Sequence, residues 1–516
     1  MTACATRDKI EQNISVCNLI IPVPDTDFRD FLEEVDKFAE FAPEIIESIE
    51  GDMDNYAREK KSLRLADRKF YESRMDELPG MNIMEKNILT EELQLAVGRP
   101  RMPSYEVFVF LMIRGFLGSL TTKPARRFLR ESMSLYGFLQ NRGLDMPAMT
   151  TILENVNLVS HATRDLIFNK QIALILGEEL DDFKSLTIDS TSVKANSSWP
   201  TDSKMLTALL SRVSRLGQKL HLFGLNDFSN GWVPRWLAEM NKLDFQICSV
   251  AGKANSKRKL KKHYRKLLKL GRKAADNLTA QLNPLELTLS QDHYAPSRWI
   301  LLQHVIEVIR NDLADAERVL VYADDRVFKN KHLSSTEKIL SLSDGSAAYI
   351  KKGDRDPVIG YKPQLVRSKN GFVTSLIVPQ GNAADSKQLV PAILDSIRHT
   401  SVVPELVSTD DGYASAKGRN KLKEMGVGDI SISGAKGKKL TSTAEWESKT
   451  YKDARRCRSA VESLMFTIKK GFEFGEVGRR GLESVQDELL EKVLAYNCCR
   501  IVLMKKRRRE KLDQVV

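Results

Sequence analysis

Two short apolar runs, each followed by an aspartate, constrain the fold of this chain more than any other feature. Residues 186–188 are Leu-Thr-Ile and precede Asp189, while residues 406–409 are Leu-Val-Ser-Thr and precede Asp410. Buried strands of a central sheet often end in this way, with a polar side chain at the rim of the sheet. We therefore expect both carboxylates at one edge of a sheet.

The chain between residues 347 and 433 alternates between strand and helix patterns. The strand patterns lie at residues 347–350, 360–366, 372–378, 406–409 and 430–433. Asn370-Gly371 separates two of them and supplies the positive φ angles of a hairpin turn. Helical patterns lie at residues 386–399 and 414–425. This alternation predicts a mixed sheet with helices on both faces.

A third acidic residue, Glu462, lies in a segment with helical periodicity. Apolar side chains recur at the i, i+3, i+4 and i+7 positions of one helix face, namely Val461, Leu464, Met465 and Ile468. At roughly 100° per residue, Arg458, Glu462 and Lys469 fall within about 40° of one another on the flank of that face. A carboxylate there can face a cleft, and the neighbouring cations suit a DNA phosphate. The alternative is an ordinary surface pair between Arg458 and Glu462, which contributes little stability.

Three carboxylates from separate elements that converge at one sheet edge would hold two divalent cations for phosphodiester chemistry. Asp and Glu oxygens suit Mg²⁺, and Mn²⁺ can replace it. Two such cations clamp the attacking and leaving oxygens and lower the pKa of bound water. Without metal the carboxylates repel one another, so we expect at least one pKa to rise. Acids in other polar segments are predicted to be turn or cap residues: Asp202, Asp324, Asp325, Asp354, Asp356 and Asp411.

Three motifs resemble those of a known enzyme family. The spacing R-x3-E-x6-K of Arg458, Glu462 and Lys469 resembles the glutamate-bearing signature of DDE transposases from bacterial insertion sequences. Asp410 is the first aspartate of Asp-Asp-Gly-Tyr, which is similar to the second-aspartate motif D-x-G-Y of that family. Asp189 lies in Ile-Asp-Ser-Thr, which resembles the first-aspartate motif.

The resemblance extends beyond these motifs, with one departure. Gly-Asn-Ala-Ala-Asp at residues 381–385 is similar to the G-N-x-x-D segment of the family. The fuller glutamate signature has a tyrosine three residues before its arginine, and Arg455 occupies that place here. The resemblance covers residues 340–475 and, more loosely, residues 84–195.

The resemblance implies an α/β fold with three parts. These are a ribonuclease H-like catalytic core (a mixed sheet with flanking helices), an all-α N-terminal domain, and a large helical insertion after the first core strand. The predicted boundaries are a helical lead-in at residues 1–83, a DNA-binding N-terminal domain at 84–180, the core at 181–205 and 340–480, a basic insertion at 206–339, and a C-terminal helix with a basic tail at 481–516. The lead-in, the insertion and the C-terminal part are predicted from composition and periodicity alone. For the N-terminal domain, helical scaffolding without DNA contact is the alternative.

The same resemblance implies a transposase that binds the terminal inverted repeats of its element. It would nick DNA by metal-dependent hydrolysis and join the freed 3′-OH to target DNA by transesterification, acting as a dimer on paired DNA ends. Asp189 would bridge two Mg²⁺ ions, and Asp410 and Glu462 would each complete the coordination of one. A metal-dependent nuclease of the same fold that cuts without joining is one alternative. A domesticated, non-catalytic DNA-binding protein is another, although such proteins usually lack an acid of the triad.

Positive charge favours double-stranded DNA as the partner. The net charge is +12, and residues 253–273 contain eleven Lys or Arg and no acid. This segment is predicted to be a nucleic-acid arm, with a solvated surface helix as the alternative. The cations expected to contact DNA are Lys257, Arg258, Lys261, Lys262, Arg265, Arg126, Arg127, Arg458 and Lys469. Two further basic segments, residues 434–439 and 505–511, are predicted to form a mobile loop and a disordered tail.

Cysteine usage and hydropathy indicate the compartment. The six cysteines lack metal-ligand spacing, which predicts free thiols in a reducing environment. No apolar run reaches about 18 residues, so no membrane span is expected. The N-terminus lacks a secretion signal pattern. We therefore expect a cytoplasmic, nucleoid-associated bacterial protein.

Overall fold

A computed structural model of the 516-residue chain describes residues 28–73, 101–225, 231–254, 256–332, 334, 337–351 and 356–513. The chain divides into two compact units. The sheet unit comprises Met1–Asn55, Pro100–Asn196 and Ser346–Val516, and the helical unit comprises Tyr56–Arg99 and Ser197–Gly345. The start of the predicted lead-in and the predicted boundary at residue 84 lie outside the described residues.

The described strands of the sheet unit form two sheets. They are β1 Ser185–Ser190, β2 Val193–Lys194, β3 Ala348–Ile350, β4 Val358–Tyr361, β5 Gln364–Ser368, β6 Val373–Ile377, β7 Leu406–Thr409 and β8 Asp429–Ile432. The larger sheet has the order β6-β5-β1-β7-β8, in which β5 is antiparallel to β1 and β6. Strands β7 and β8 are parallel to each other and to β1. The smaller sheet is antiparallel, with the order β2-β4-β3. The predicted mixed sheet is therefore confirmed.

The single strand expected at residues 360–366 is wrong, because the chain changes sheets within it. Strand β4 ends at Tyr361 in the smaller sheet, and β5 begins at Gln364 in the larger sheet. Pro363 lies in the link and has no N–H to donate to a ladder. Its carbonyl instead accepts a hydrogen bond from the backbone N–H of Thr191 at 3.1 Å.

The helices of the sheet unit surround these strands. In chain order they are α1 Phe28–Phe41, α2 Glu44–Glu72 (which continues into the helical unit), α3 Ser104–Phe116, α4 Lys123–Glu131, α5 Met133–Gln140, α6 Met149–Val156 and α7 His161–Gly177. After the helical unit follow α12 Asp385–Thr400, α13 Ala416–Glu424, α14 Ala435–Lys439, α15 Thr443–Glu447, α16 Lys449–Cys457, α17 Ala460–Gly471 and α18 Leu482–Asp513.

Neighbouring residues of β7 show that helices cover both faces of the larger sheet. Val407 packs in a buried cluster with Leu389 and Ile393 of α12. The next residue, Ser408, donates its hydroxyl to the carbonyl of Ala454 in α16 at 3.0 Å. Because successive side chains of a strand point to opposite faces, α12 and α16 lie on opposite sides of the sheet.

Two basic segments differ from their predicted structure. Residues 435–439 form the short helix α14 instead of a loop. The predicted disordered tail is wrong, because α18 continues as a helix to Asp513. Lys505, the first residue of that tail, pairs with Glu34 at 2.7 Å and with Glu178 at 2.8 Å. These pairs to other elements tie the helix end to the sheet unit.

The helical unit contains four long helices around an apolar core. They are α8 Asp202–Gln218, α9 Val233–Val250, α10 Ser256–Thr288 and α11 Pro296–Phe328. Helix α10 carries the basic segment on its outer face, while Tyr264, Leu267 and Leu268 face the core. Among the described residues, no helix is both long and apolar enough to cross a membrane.

Candidate active site

Asp189 and Asp410 lie side by side at one edge of the larger sheet. In the parallel pair of β1 and β7, Thr187 is the register partner of Ser408. Asp189 lies two residues after Thr187, and Asp410 lies two residues after Ser408. Neighbouring strands are about 4.8 Å apart. Parallel strands end at the same edge, so two acids from distant parts of the sequence meet there.

The backbone orients both carboxylates. Asp189 Oδ1 accepts a hydrogen bond from the N–H of Ser190 at 2.7 Å. Asp410 Oδ1 accepts from the N–H of Gly412 at 2.9 Å and caps the short 3₁₀ turn Asp411–Tyr413. Each aspartate is thus held by a backbone donor at the end of its strand, because Ser190 is the last residue of β1 and Gly412 follows β7.

The adjacent acid, Asp411, has a different environment. Its Oδ1 accepts hydrogen bonds from the backbone N–H groups of Lys436 at 2.8 Å and Gly437 at 2.9 Å. Asp411 therefore fastens the first turn of α14 to the sheet edge, and it is a cap residue. Of the other acids predicted to be turn or cap residues, Asp354 lies outside the described residues.

Glu462 lies on the exposed flank of α17. The buried face of this helix contains Val461, Leu464 and Ile468, as the periodicity predicts. Glu462 is 71 % exposed, and its Oε1 is 3.7 Å from a guanidinium nitrogen of Arg458. This long ion pair matches the alternative interpretation of the segment, an ordinary surface pair between Arg458 and Glu462.

The structure brings together two of the three predicted acids. Within the described ranges, no group of three or more Asp, Glu, His or Cys side chains is arranged to hold a metal ion. The C-terminal end of α17 contacts the link between β1 and β2, where Lys469 Nζ donates to the carbonyl of Ser192 at 3.1 Å. Glu462 is on the same helix face about two turns earlier, in the first turn of α17.

Polar residues that the sequence did not assign to the site lie next to the aspartates. Tyr413 is fully buried, and its hydroxyl donates to Gln364 Oε1. Burial raises the pKa of Tyr413 well above its ordinary value, and the negative charges of Asp385, Asp189 and Asp410 raise it further. Asp385 thus adds a third carboxylate near the aspartate pair. The Gly-Asn-Ala-Ala-Asp segment was the sequence signal that could have identified it.

Arg455, which replaces the tyrosine of the fuller signature, stacks on aromatic rings. Its guanidinium carbon lies 4.1 Å from the ring centre of Trp446 and 5.4 Å from that of Tyr451. It also donates to the carbonyl of Trp446 at 3.1 Å. Arg455 therefore serves to pack α15 against α16.

The remaining predicted DNA-binding cations lie on two helices, one in each unit. Arg126 and Arg127 are exposed on α4, where Arg127 pairs with Glu131 at 3.0 Å. The others lie on α10: Lys257, Arg258, Lys261, Lys262 and Arg265. Among the described residues, none of these five α10 cations forms a salt bridge with an acid.

A mixed sheet with two aspartates at neighbouring parallel strand ends is compatible with a ribonuclease H-like DDE domain. Residues 318–498 match the model of the family described as the transposase DDE domain. The matched region contains Asp410, Glu462 and Lys469, while Asp189 precedes it. Searches of curated proteins and of solved structures returned no match. Residues 318–498 therefore contain a transposase DDE domain.

Proposed function

We propose that this chain is the transposase of a bacterial insertion sequence, with a ribonuclease H-like catalytic core. It binds the terminal inverted repeats, nicks DNA at the element end and joins the freed 3′-OH to target DNA. The observation that carries this proposal is the pairing of Asp189 with Asp410. Asp189 lies outside the region that matches the family model, yet the strand register brings it beside Asp410.

Transposase DDE domains generally use divalent metal ions, and the donor set here fits such an ion. Asp189 and Asp410 supply hard oxygen ligands at adjacent strand ends. Among the described residues, the ion pair that Glu462 forms is the long one to Arg458, and its side chain is 71 % exposed, so we propose that its carboxylate supplies a third ligand when the metal is bound. Bound Mg²⁺, or Mn²⁺ in its place, would neutralise phosphate charge and acidify water, and we propose two ions per site.

The cations of the chain have separate roles in this proposal. Lys469 and Arg458 flank Glu462 and contact phosphates near the cut. The basic face of α10 and the exposed arginines of α4 bind the DNA backbone without reading sequence. Double-stranded DNA is therefore held by charge. As a separate part of the proposal, the protein acts as a dimer on paired DNA ends.

The proposed reaction has two displacements at phosphorus. Water attacks the phosphodiester at the element end, and the P–O3′ bond breaks to leave a 3′-OH and a 5′-phosphate. The freed 3′-OH then attacks a target phosphodiester, and the 3′ oxygen of the target strand leaves. The residues of this chain position the phosphates and neutralise their charge, so no protein nucleophile is needed.

The test is cleavage of labelled duplex DNA that carries the flanking sequence of the gene, in Mg²⁺ or Mn²⁺. Wild type is compared with Asp189→Ala, Asp410→Asn and Glu462→Gln. Asp429→Asn is the matched control, because Asp429 begins β8 at the opposite edge of the same sheet. We expect wild type and the control to make a metal-dependent nick at the repeat boundary. The three site variants should not make it.

The products separate the proposed function from its alternatives. Joined strands would establish a transposase, and nicking without joining would indicate a nuclease. Specific binding without cleavage in either metal would indicate a non-catalytic DNA-binding protein. Cleavage by Glu462→Gln at the wild-type rate would remove Glu462 from the site.

A further inference from the structure

Asp385 is part of a buried polar network beside the two aspartates. It is the first residue of α12, and its Oδ1 is 2.8 Å from Lys362 Nζ and 3.1 Å from Gln364 Nε2. The side chains of Asp385 and Lys362 are only 15 % and 12 % exposed. A charged pair so poorly hydrated is held by its geometry and by its extra hydrogen bonds.

Gln364 connects Asp385 to the strands that carry the aspartates. It is fully buried on β5, directly opposite Ser190, the residue after Asp189. Its amide N–H donates to Asp385, so its carbonyl oxygen faces the Tyr413 hydroxyl and accepts from it. Tyr413 in turn closes the 3₁₀ turn that Asp410 caps. One chain of hydrogen bonds therefore runs from Asp385 through Gln364 to Tyr413, and the Tyr413 N–H donates to the carbonyl of Asp410 at 3.3 Å.

The carboxylates of Asp385 and Asp410 both lie next to Gly412. A β-carbon added at Gly412 would lie 3.1 Å from Asp410 Oδ1 and 3.4 Å from Asp385 Oδ2. The second oxygen of Asp385 thus faces the turn that holds Asp410, while its first oxygen is occupied by Lys362 and Gln364. Lys362 places a positive charge beside Asp385, which offsets the repulsion between this carboxylate and the nearby Asp410.

We propose that Asp385 is a positioning residue for the Asp189–Asp410 pair, acting through Gln364 and Tyr413. It fixes the orientation of the Gln364 amide, which fixes Tyr413 and the turn after β7. This inference rests on the proposed function, since it assumes that the two aspartates hold a divalent ion. In this proposal Asp385 acts through these two residues and is not itself a metal ligand.

The test uses full-length protein with Asp385→Asn, Tyr413→Phe and the double variant. Asp395→Asn is the matched control, because Asp395 is on the same helix, is 17 % exposed and also pairs with a cation, Arg398, at 2.9 Å. Three quantities are measured: the single-turnover cleavage rate, the DNA dissociation constant, and Mn²⁺ binding to the DNA-free protein by calorimetry.

We expect each single variant to lower the cleavage rate and the Mn²⁺ affinity by about 10- to 100-fold, as loss of a residue behind metal ligands does. The double variant should lose no more than the worse single variant, because both belong to one network. DNA affinity should stay within about 2-fold of wild type, since the network contacts no phosphate.

Three results in the variants would overturn the inference. These are wild-type Mn²⁺ binding by Asp385→Asn, losses that multiply in the double variant, and an equal loss in Asp395→Asn, which would indicate general damage to α12. If Asp385→Asn fails to fold, Tyr413→Phe removes a single hydroxyl and carries the same test. If wild type binds Mn²⁺ but does not cleave, the proposed function fails while the binding data still decide this inference. A wild type that binds no Mn²⁺ overturns both.

Discussion

Glu491 lies at the centre of a buried ion cluster that joins three helices of the sheet unit. Its side chain is 1 % exposed and accepts hydrogen bonds from Arg114 at 2.7 Å, Arg164 at 2.7 Å and Arg479 at 2.9 Å. Arg114 belongs to α3, Arg164 to α7 and Glu491 to α18, so one carboxylate links helices that are far apart in sequence. Glu491→Gln keeps the shape of this side chain and removes its charge.

The expected cost of Glu491→Gln is large. Removing one partner of a buried ion pair destabilises a protein by about 3–5 kcal/mol, because the remaining charges stay buried without compensation. At about 2 °C per kcal/mol for a unit of this size, the melting temperature should fall by about 6–10 °C. The change is measured by denaturant unfolding at pH 7 and by thermal unfolding.

The control is Glu131→Gln, which removes one charge from an exposed pair. Glu131 meets Arg127 one turn away on α4, with both side chains more than half exposed. Such pairs contribute about 0.3–0.5 kcal/mol, so the control should unfold close to wild type. Equal losses in the two variants would refute the view that the buried cluster holds the helices together.

The same variant gives a pH prediction. Burial alone would raise the pKa of Glu491, but the three guanidinium groups reverse this and hold the pKa below its ordinary value. A depressed pKa contributes stability that is present above the unfolded value of about 4.3 and is lost as the pH falls through the folded value. The difference between wild type and Glu491→Gln should therefore be constant from pH 6 to 8 and narrow only in acid. If the difference in unfolding free energy between the two proteins shrinks near pH 7, the depressed pKa of Glu491 is contradicted.

Two further predictions concern DNA binding and the turn beside the site. Replacing Lys262, Arg265 and Lys269 of α10 with alanine should reduce the salt dependence of DNA binding by up to about 3 in log–log slope, measured by titration from 50 to 300 mM salt. The control replaces three ion-paired cations of α11 with alanine. It should change the slope of the salt dependence less than the α10 variant does. Gly434→Ala should cost about 1–3 kcal/mol in denaturant unfolding, because φ is +99° and the new β-carbon would lie 2.7 Å from that of Asp411. A β-carbon at Gly475 would have no atom within 4 Å, so Gly475→Ala should leave the free energy of unfolding nearly unchanged. Equal destabilisation by the two substitutions would contradict the proposed clash at Gly434.

Local patterns in the sequence predicted the elements that depend on local chemistry. The apolar runs before Asp189 and Asp410 became β1 and β7, since a buried strand needs apolar residues and its end tolerates a carboxylate. The buried face of α17 followed from helical periodicity. The helical state of residues 505–511 could not be predicted, because it depends on Lys505 pairing with Glu34 and Glu178, which are remote in sequence.

The position of Glu462 relative to the aspartates could not be predicted from the sequence. Periodicity defines which face of α17 is buried, and that face was correct. The distance from Glu462 to the sheet edge depends instead on how the whole helix lies against β1, and the contact of Lys469 with Ser192 is at the far end. A helical wheel holds information about angle and none about this tertiary placement.

The order of the larger sheet explains why the polar network was also missed. Strand β1 is central, with β5 on one side and β7 on the other. Gln364 therefore reaches the end of β1 from one side, while Asp410 and Tyr413 reach it from the other. None of these three residues is close to Asp189 in sequence, because residues 197–345 of the helical unit lie between Asp189 and all of them in the chain. Because Asp189 and Asp410 lie where neighbouring strands end, an insertion between β2 and β3 leaves this edge intact. Recognising the network requires the strand order, and only tertiary structure supplies that order.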